Sequence, residues 1–186
     1  NQKDPQSIDI VSNCVLSESY LTMSKIANTL GLKADAEMYL EKHKSQNQLI
    51  HKSFFDNETK SYSSGTQIDI VYPMFVGATP QSEIDNVEKS LCQRTIEQFK
   101  GHLATGLVGI PIITQWATRE GKAEEMYQML KKREYPGYLY MIDNGADLTW
   151  EHWDGDRSRI HNCYKGIGSW FYQALGGITP DEKQPG

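Results

Sequence analysis

The sequence predicts an all-α protein whose helices are arranged as an α/α toroid. Apolar residues recur at three- and four-residue steps through most of the 186 residues, which is the period of an amphipathic helix. We count about seven helices joined by short loops, with one short β-hairpin near residues 138–153. Apolar, glycine-rich helices alternate with charged ones, which favours an inner and an outer layer; a plain helical bundle is the alternative.

The first two predicted helices lie in the amino-terminal third of the chain. The first is expected over 13–30, where Gly31 supplies a stop. The second is expected over 34–54. Residues 56–65 are rich in turn formers, so we predict a loop between the second helix and the third.

The middle of the chain contains the alternating helices. A short apolar segment over 66–77 is followed by a charged helix that begins after Pro80. The next helix is predicted over 105–118, with Pro111 within or near its first turns, where a proline does least harm because the first amides of a helix lack internal partners. A sixth helix is predicted over 122–132.

The carboxyl-terminal part has a different sequence pattern. Two β-prone runs in 138–153 flank the pair Asn144-Gly145, which is the strongest short signal for a hairpin turn. A last helix is expected from near Ser158 to the glycine pair at 176–177.

Composition excludes several classes of protein. With 24 acidic and 19 basic side chains, the chain has a formal net charge of −5 and lacks the basic balance that a nucleic-acid binder needs. Its apolar runs are too short for a membrane span. The three cysteines, Cys14, Cys92 and Cys163, are too far apart for a zinc site or a redox pair. These features leave the cellular compartment unknown.

Aromatic residues are concentrated near the carboxyl end, where Trp150, Trp153 and Trp170 are three of the four tryptophans. One interpretation is a well-packed core at the junction of hairpin and helix. The other is a platform on which the apolar face of a sugar ring stacks. Both interpretations are compatible with the sequence pattern.

Three polar side chains are candidates for chemistry. If 148–153 is extended, alternation places Glu151 and Trp153 on one face, so that a carboxylate lies beside an indole. Such a carboxylate suits a general base, although a glutamate on an exposed hairpin edge would give the same pattern. His161, at the expected start of the last helix, and His102, between two glycines, could each contact a ligand or simply pack.

Other mechanisms lack their motifs. The chain contains no G-x-S-x-G, no phosphate loop, no H-E-x-x-H and no G-x-G-x-x-G. Cys163 and His161 are two residues apart, so on a helix their side chains would diverge and could not form a nucleophile pair. Asp154-Gly155-Asp156 lacks the ligand spacing of a calcium loop. We therefore predict no metal and no cofactor.

Five strings in this order resemble α-L-rhamnosidases of glycoside hydrolase family 78. They are S-G-T-Q (64–67), G-H-L-A-T-G-L-V-G-I-P (101–111), R-E-Y-P-G-Y-L-Y-M (133–141), G-A-D-L-T-W-E-H-W-D (145–154) and S-R-I-H-N-C-Y-K-G-I-G-S-W-F-Y-Q-A-L-G-G-I (158–178). In that family, similar strings occupy the second half of an (α/α)6 barrel.

The resemblance implies inverting hydrolysis of terminal α-L-rhamnosides in glycosides or polysaccharides. In that reaction one carboxylic acid protonates the leaving oxygen, and a second carboxylate, about 6.5–9.5 Å away, activates a water. The general base of the family matches Glu151, and its sugar-binding histidine matches His161. Further substrate-binding positions match Trp150, Trp153, His102 and Gln67.

The resemblance also implies that residues 1–186 are a single-domain fragment, the carboxyl-terminal half of a catalytic domain. A complete toroid needs about twelve helices, so an incomplete one is expected. The general acid of the family lies upstream of anything present, and the chain begins at Asn1 rather than Met, which suggests a cut before this residue. The expected partners are a rhamnose-containing carbohydrate and the upstream half, and the fragment alone is expected to be inactive or weakly active.

Two departures and three alternatives accompany this interpretation. The family usually has arginine where this chain has His152, and the loop between Glu151 and His161 is short. A non-catalytic carbohydrate-binding or regulatory relative would keep the tryptophans without the acid. A helical interaction protein would need neither the tryptophans nor the acid. A toroid with a different sugar specificity is also compatible with the sequence.

Overall fold

The computed structural model describes residues 5–181, with side chains from Ser7 onward. The chain divides into two compact units, the first ending at Arg94 and the second beginning at Thr95. Helices are the main regular structure of both, which confirms the predicted all-α class. They are α1 (Pro5–Thr29), α2 (Lys33–Phe54), α3 (Gln67–Phe75), α4 (Ile84–Glu97), α5 (Gly109–Arg119), α6 (Ala123–Leu130), α7 (Tyr138–Asp143) and α8 (Ile167–Trp170). A 3-10 turn, Gln81–Glu83, precedes α4.

Buried and solvated helices alternate as the sequence predicts. Eight of the nine residues of α3 and seven of the eleven residues of α5 are buried. By contrast, α2 buries five of its 22 residues and α6 buries one of its eight. A helix that is apolar on all sides lies inside a protein, whereas one with a single apolar stripe lies at its surface. α3 and α5 are therefore inner helices, and α2 and α6 are outer ones.

A buried polar network joins α1, α2 and the end of α3. The hydroxyl of Ser17 donates to Oδ1 of Asn47 at 2.5 Å and accepts from Nδ1 of His43 at 2.8 Å. Nδ2 of Asn47 donates to the carbonyl of Val76 at 2.8 Å and to Nε2 of His43 at 3.2 Å. Because these buried polar atoms have partners, they fix the register of the three helices at little desolvation cost.

Two prolines lie near the starts of helices, and their positions can be compared with the predicted helix boundaries. Within the described residues, α1 includes Pro5, eight residues before the start predicted from the apolar period. Pro111 is the third residue of α5, which agrees with the position predicted for it.

The β-hairpin that the sequence predicted near 138–153 lies instead at residues 55–62. β1 (Phe55–Asp56) pairs with the antiparallel strand β2 (Ser61–Tyr62) across the segment that the turn formers predicted as a loop. The carboxylate of Asp56 accepts the amide of Glu58 at 2.8 Å, which closes the turn.

The predicted hairpin segment forms α7 and a loop. Gly145 has φ +85°, and the amide of Ala146 donates to the carbonyl of Met141 at 2.9 Å, which is a common way for a helix to end. A hairpin turn and this helix end both require positive φ, so Asn144-Gly145 suits either. In this chain the pair ends α7.

The last helix begins later than predicted. α8 begins at Ile167 rather than near Ser158, and a π-helical turn, Phe171–Leu175, extends it. His161 therefore lies in a loop and not at a helix start. Within residues 5–181, no helix combines the length and apolar character that crossing a membrane requires.

Candidate active site

The loop between α7 and α8 folds back on itself and places Glu151 and His161 on neighbouring segments. The amide of His161 donates to the carbonyl of Thr149 at 2.8 Å, and the amide of Glu151 donates to the carbonyl of Ser158 at 2.8 Å. The hydroxyl of Thr149 also donates to the carbonyl of His161. Residues 149–151 and 158–161 are thus paired in an irregular antiparallel arrangement.

Glu151 is partly exposed in this loop. The side chain is half-buried, and Oε2 lies 3.4 Å from the amide of Ser158. The alternation that placed Glu151 on one face with Trp153 is not seen, because Trp150 and Trp153 are both buried whereas His152, between Glu151 and Trp153, is exposed. The backbone turns at Trp153, and this turn breaks the two-residue period.

His161 is held as a hydrogen-bond donor. Its Nδ1 accepts the amide of Cys163 at 3.1 Å, so the neutral ring carries its proton on Nε2. The imidazole is half-buried.

Burial, with the charge of Glu151, raises the pKa of the Cys163 thiol. The thiol is therefore protonated near neutral pH and is a poor nucleophile.

Trp153 is part of a buried aromatic cluster in the second unit. Its indole stacks on Tyr164 with ring centroids 3.8 Å apart and meets Tyr138 edge-on at 5.1 Å. Nε1 donates to the carbonyl of Thr105 at 3.2 Å. The ring is 8% exposed, so it anchors the loop and offers a ligand little surface.

Trp150 is enclosed by its own loop. The residue is 2% exposed. The guanidinium of Arg159 lies 5.0 Å from the ring centroid, which is a cation–π distance. Gly155 packs so closely that a Cβ there would lie 2.9 Å from the indole, and its φ of +74° also suits glycine. Trp170 is 0% exposed, so none of the three tryptophans forms an open wall.

His102 ties the loop before α5 to the segment before α7. Its Nδ1 lies 2.8 Å from the carbonyl of Pro136, and since a carbonyl only accepts, this nitrogen carries a proton. Three residues further on, Thr105 receives the indole bond of Trp153. His102 is 6% exposed, so it holds these two segments together from a buried position.

Gln67 lies in the other unit and is 0% exposed. It is the first residue of α3, next to Thr66, whose side chain caps the helix together with Asp69. The carboxylate of Asp69 also accepts the hydroxyl of Ser7. Direct contact between Gln67 and a ligand would require the side chain to move, so that role stays a prediction.

Sequence reasoning missed the residues that support the loop. Arg159, Thr105 and Ser158 act through a cation–π contact or backbone bonds, and no motif spacing signals these interactions. Tyr164 follows the histidine string and was visible only as one of many nearby aromatics. Among the described residues, no group of three or more histidine, cysteine or carboxylate side chains could hold a metal ion.

Comparison with known proteins gives a consistent result. The sequence model of the bacterial alpha-L-rhamnosidase six-hairpin glycosidase domain matches residues 1–175. An alpha-L-rhamnosidase of Alteromonas sp. (strain LOR) is 28% identical over 92% of this chain and 20% of its own length. One of Formosa agariphila is 26% identical over 97% of this chain and 20% of its own length. The crystal structure of Streptomyces avermitilis alpha-L-rhamnosidase complexed with L-rhamnose superposes with a TM-score of 0.83 at 25% identity, over 94% of this chain and 18% of that one.

The chain thus spans about a fifth of the length of these curated relatives. Its match to a six-hairpin domain and to the rhamnosidase structure confirms the predicted α/α fold class. Because the family model covers nearly the whole sequence, this chain belongs to the family of bacterial alpha-L-rhamnosidase six-hairpin glycosidase domains.

Proposed function

We propose that this chain is the part of an inverting α-L-rhamnosidase catalytic domain that supplies the general base, Glu151. The observation that carries the proposal is the contrast between a partly exposed glutamate and the two tryptophans beside it, which are buried. A loop anchored on both sides of one glutamate suits a base that must hold a water in one position. Family membership supports a terminal α-L-rhamnoside as the substrate.

The chemistry assigned to Glu151 is proton removal from water. Oε2 faces the amide of Ser158 at 3.4 Å, which leaves Oε1 to accept the proton as the water oxygen attacks the anomeric carbon. The leaving oxygen is protonated from the opposite side of the sugar by a carboxylic acid, and the configuration at the anomeric carbon inverts.

His161 is proposed to bind the sugar. Its Nε2 carries a proton because Nδ1 accepts the amide of Cys163, so it can donate to a sugar hydroxyl. For Trp150, Trp153 and His102, which are at most 8% exposed, we propose that they serve substrate binding by holding the loop rather than by stacking on the sugar.

We attribute the general acid to a part of the catalytic domain outside this chain. An apolar stripe on α1 supports the presence of such a part as a packing partner, because the opposite face of the same helix is already buried. The stripe residues are 41–49% exposed and are spaced by seven, eight and three positions: Ile8, Val15, Met23 and Ile26.

The test uses the longer protein that contains this chain and an aryl α-L-rhamnoside. Glu151→Gln should lower kcat by about 10²- to 10⁴-fold, the usual contribution of general base catalysis, while binding of L-rhamnose is retained. Glu125→Gln, on the exposed side of α6, is the matched control and should leave kcat unchanged. Retention of activity by Glu151→Gln would remove this residue from the mechanism.

A second measurement tests whether the general base and the general acid lie in different parts of the longer protein. The 186-residue chain should hydrolyse the same glycoside poorly or not at all, because we attribute the general acid to a part outside it. Turnover near the rate of the longer protein would contradict this division. If the longer protein binds rhamnose but never hydrolyses a rhamnoside, the chain belongs to a carbohydrate-binding relative instead.

A further inference from the structure

The first unit contains a groove of about 600 Å³ that the proposed hydrolysis does not use. One wall is the face of α2 from Leu40 to Lys52, and the other is the segment from Val76 to Pro80 after α3. Leu21 of α1 contributes to the same cavity. Sites for small organic molecules have volumes of about 300–1,000 Å³, so the groove has the size of a ligand site.

The groove combines an apolar surface with positive charge. Two of its residues, Lys44 and Lys52, carry a positive charge, and none of the described residues that line it is acidic. This contrasts with the net charge of −5 on the whole chain. Burial lowers the pKa of His51, so at neutral pH this imidazole is uncharged and the lysines supply the charge.

The existing ion pair at the rim is weak. Nζ of Lys44 lies 2.7 Å from a carboxylate oxygen of Glu41, and the two side chains are 57% and 69% exposed. A solvent-exposed pair of this kind contributes little free energy, so a ligand carboxylate can replace Glu41 at small cost.

The walls are connected before any ligand binds. Asn47 of α2 donates to the carbonyl of Val76 at 2.8 Å. His51 of α2 bonds through Nδ1 to the hydroxyl of Tyr62 at 2.8 Å, and that hydroxyl donates to Thr79 at 3.0 Å. Hydrogen bonds at both places hold α2 against the opposite wall, so a ligand would meet a largely preformed site.

We propose that this groove is a binding site for a small organic carboxylate with an apolar body. The carboxylate pairs with one of the two rim lysines, Lys44 and Lys52, which are about 12 Å apart along α2, and the body lies against Leu21, Leu40 and Pro80. A sugar suits the groove less well, because no tryptophan, tyrosine or phenylalanine among the described lining residues offers a stacking face. The proposal goes beyond the hydrolytic site and does not depend on it.

The test follows amide chemical shifts of the ¹⁵N-labelled 186-residue chain during titration with 4-phenylbutyrate. Shifts should be confined to residues 40–52 and 76–80. The uncharged isostere 4-phenylbutyramide should bind about threefold or more weakly, since it cannot pair with the lysines. The double variant Lys44→Gln/Lys52→Gln should weaken the binding of 4-phenylbutyrate to the same extent. The control Lys25→Gln/Lys33→Gln removes the same charge from exposed positions outside the groove and should have little effect.

Three results would overturn the proposal. They are an absence of shifts in the two segments at high ligand concentration, equal affinity for carboxylate and amide, and equal weakening by the two lysine pairs. The unchanged spectrum of the rest of the chain verifies that each variant is folded. Since no rhamnoside is involved, failure here is distinct from failure of the proposed hydrolysis.

Discussion

Replacement of Trp153 by phenylalanine tests whether this indole anchors the loop that carries Glu151. The change removes the 3.2 Å hydrogen bond from Nε1 to the carbonyl of Thr105 and part of the stack on Tyr164. The hydrogen bond contributes about 1 kcal/mol net. The smaller ring removes roughly 50 Å² of buried apolar surface, worth about 1.2 kcal/mol. With the loss of stacking, we expect destabilisation by about 2–3 kcal/mol.

Trp116→Phe provides the matched control, because Trp116 is a similarly buried tryptophan, 7% exposed, on α5. Chemical denaturation followed by circular dichroism gives the loss of stability of both variants. Amide hydrogen exchange then locates the effect: residues 149–161 should exchange faster in Trp153→Phe and at the wild-type rate in Trp116→Phe. Equal exchange of this loop in both variants would refute the anchoring role.

Three further predictions concern single residues. Gly155→Ala should destabilise the chain by about 1–3 kcal/mol in chemical denaturation, because φ is +74° and the new Cβ would lie 2.9 Å from the ring of Trp150. Cys163 should react with iodoacetamide at pH 8 more slowly than the exposed Cys92, because burial and the charge of Glu151 raise the pKa of its thiol. Burial lowers the pKa of His51 in the folded chain, so the unfolded chain binds a proton first as the pH falls. The free energy of unfolding should therefore decrease as the pH drops below about 6.5, the ordinary pKa of histidine. In His51→Gln, the denaturation midpoint should fall less between pH 7 and 5.5.

The helices that the sequence predicted well are those in which local pattern and tertiary packing agree. The second helix was predicted over 34–54 and is Lys33–Phe54, and the sixth was predicted over 122–132 and is Ala123–Leu130. The continuous apolar run of α3 identified an inner helix for the same reason: residues that are apolar on every side of a helix must be buried on every side.

The hairpin was misplaced because one local signal serves two structures. Asn144-Gly145 supplies the positive φ that a hairpin turn or a helix end requires, and the two are distinguished by contacts far along the chain. Tyr138 at the start of α7 donates to the carbonyl of Tyr164, 26 residues away, at 2.7 Å. No period or propensity within the segment encodes such a bond.

The environment of the tryptophans changes how the string Trp150-Glu151-His152-Trp153 is interpreted. A sugar platform would require exposed indole faces, but Trp150 and Trp153 are 2% and 8% exposed, and each is covered by side chains or backbone of the second unit. Two anchors three residues apart leave the backbone between them little freedom, so the carboxylate of Glu151 is held without being enclosed. A catalytic carboxylate that acts on water needs this combination of fixed position and access to solvent. If Glu151 is the general base, as we propose, these aromatic residues contribute to catalysis through the position of its carboxylate.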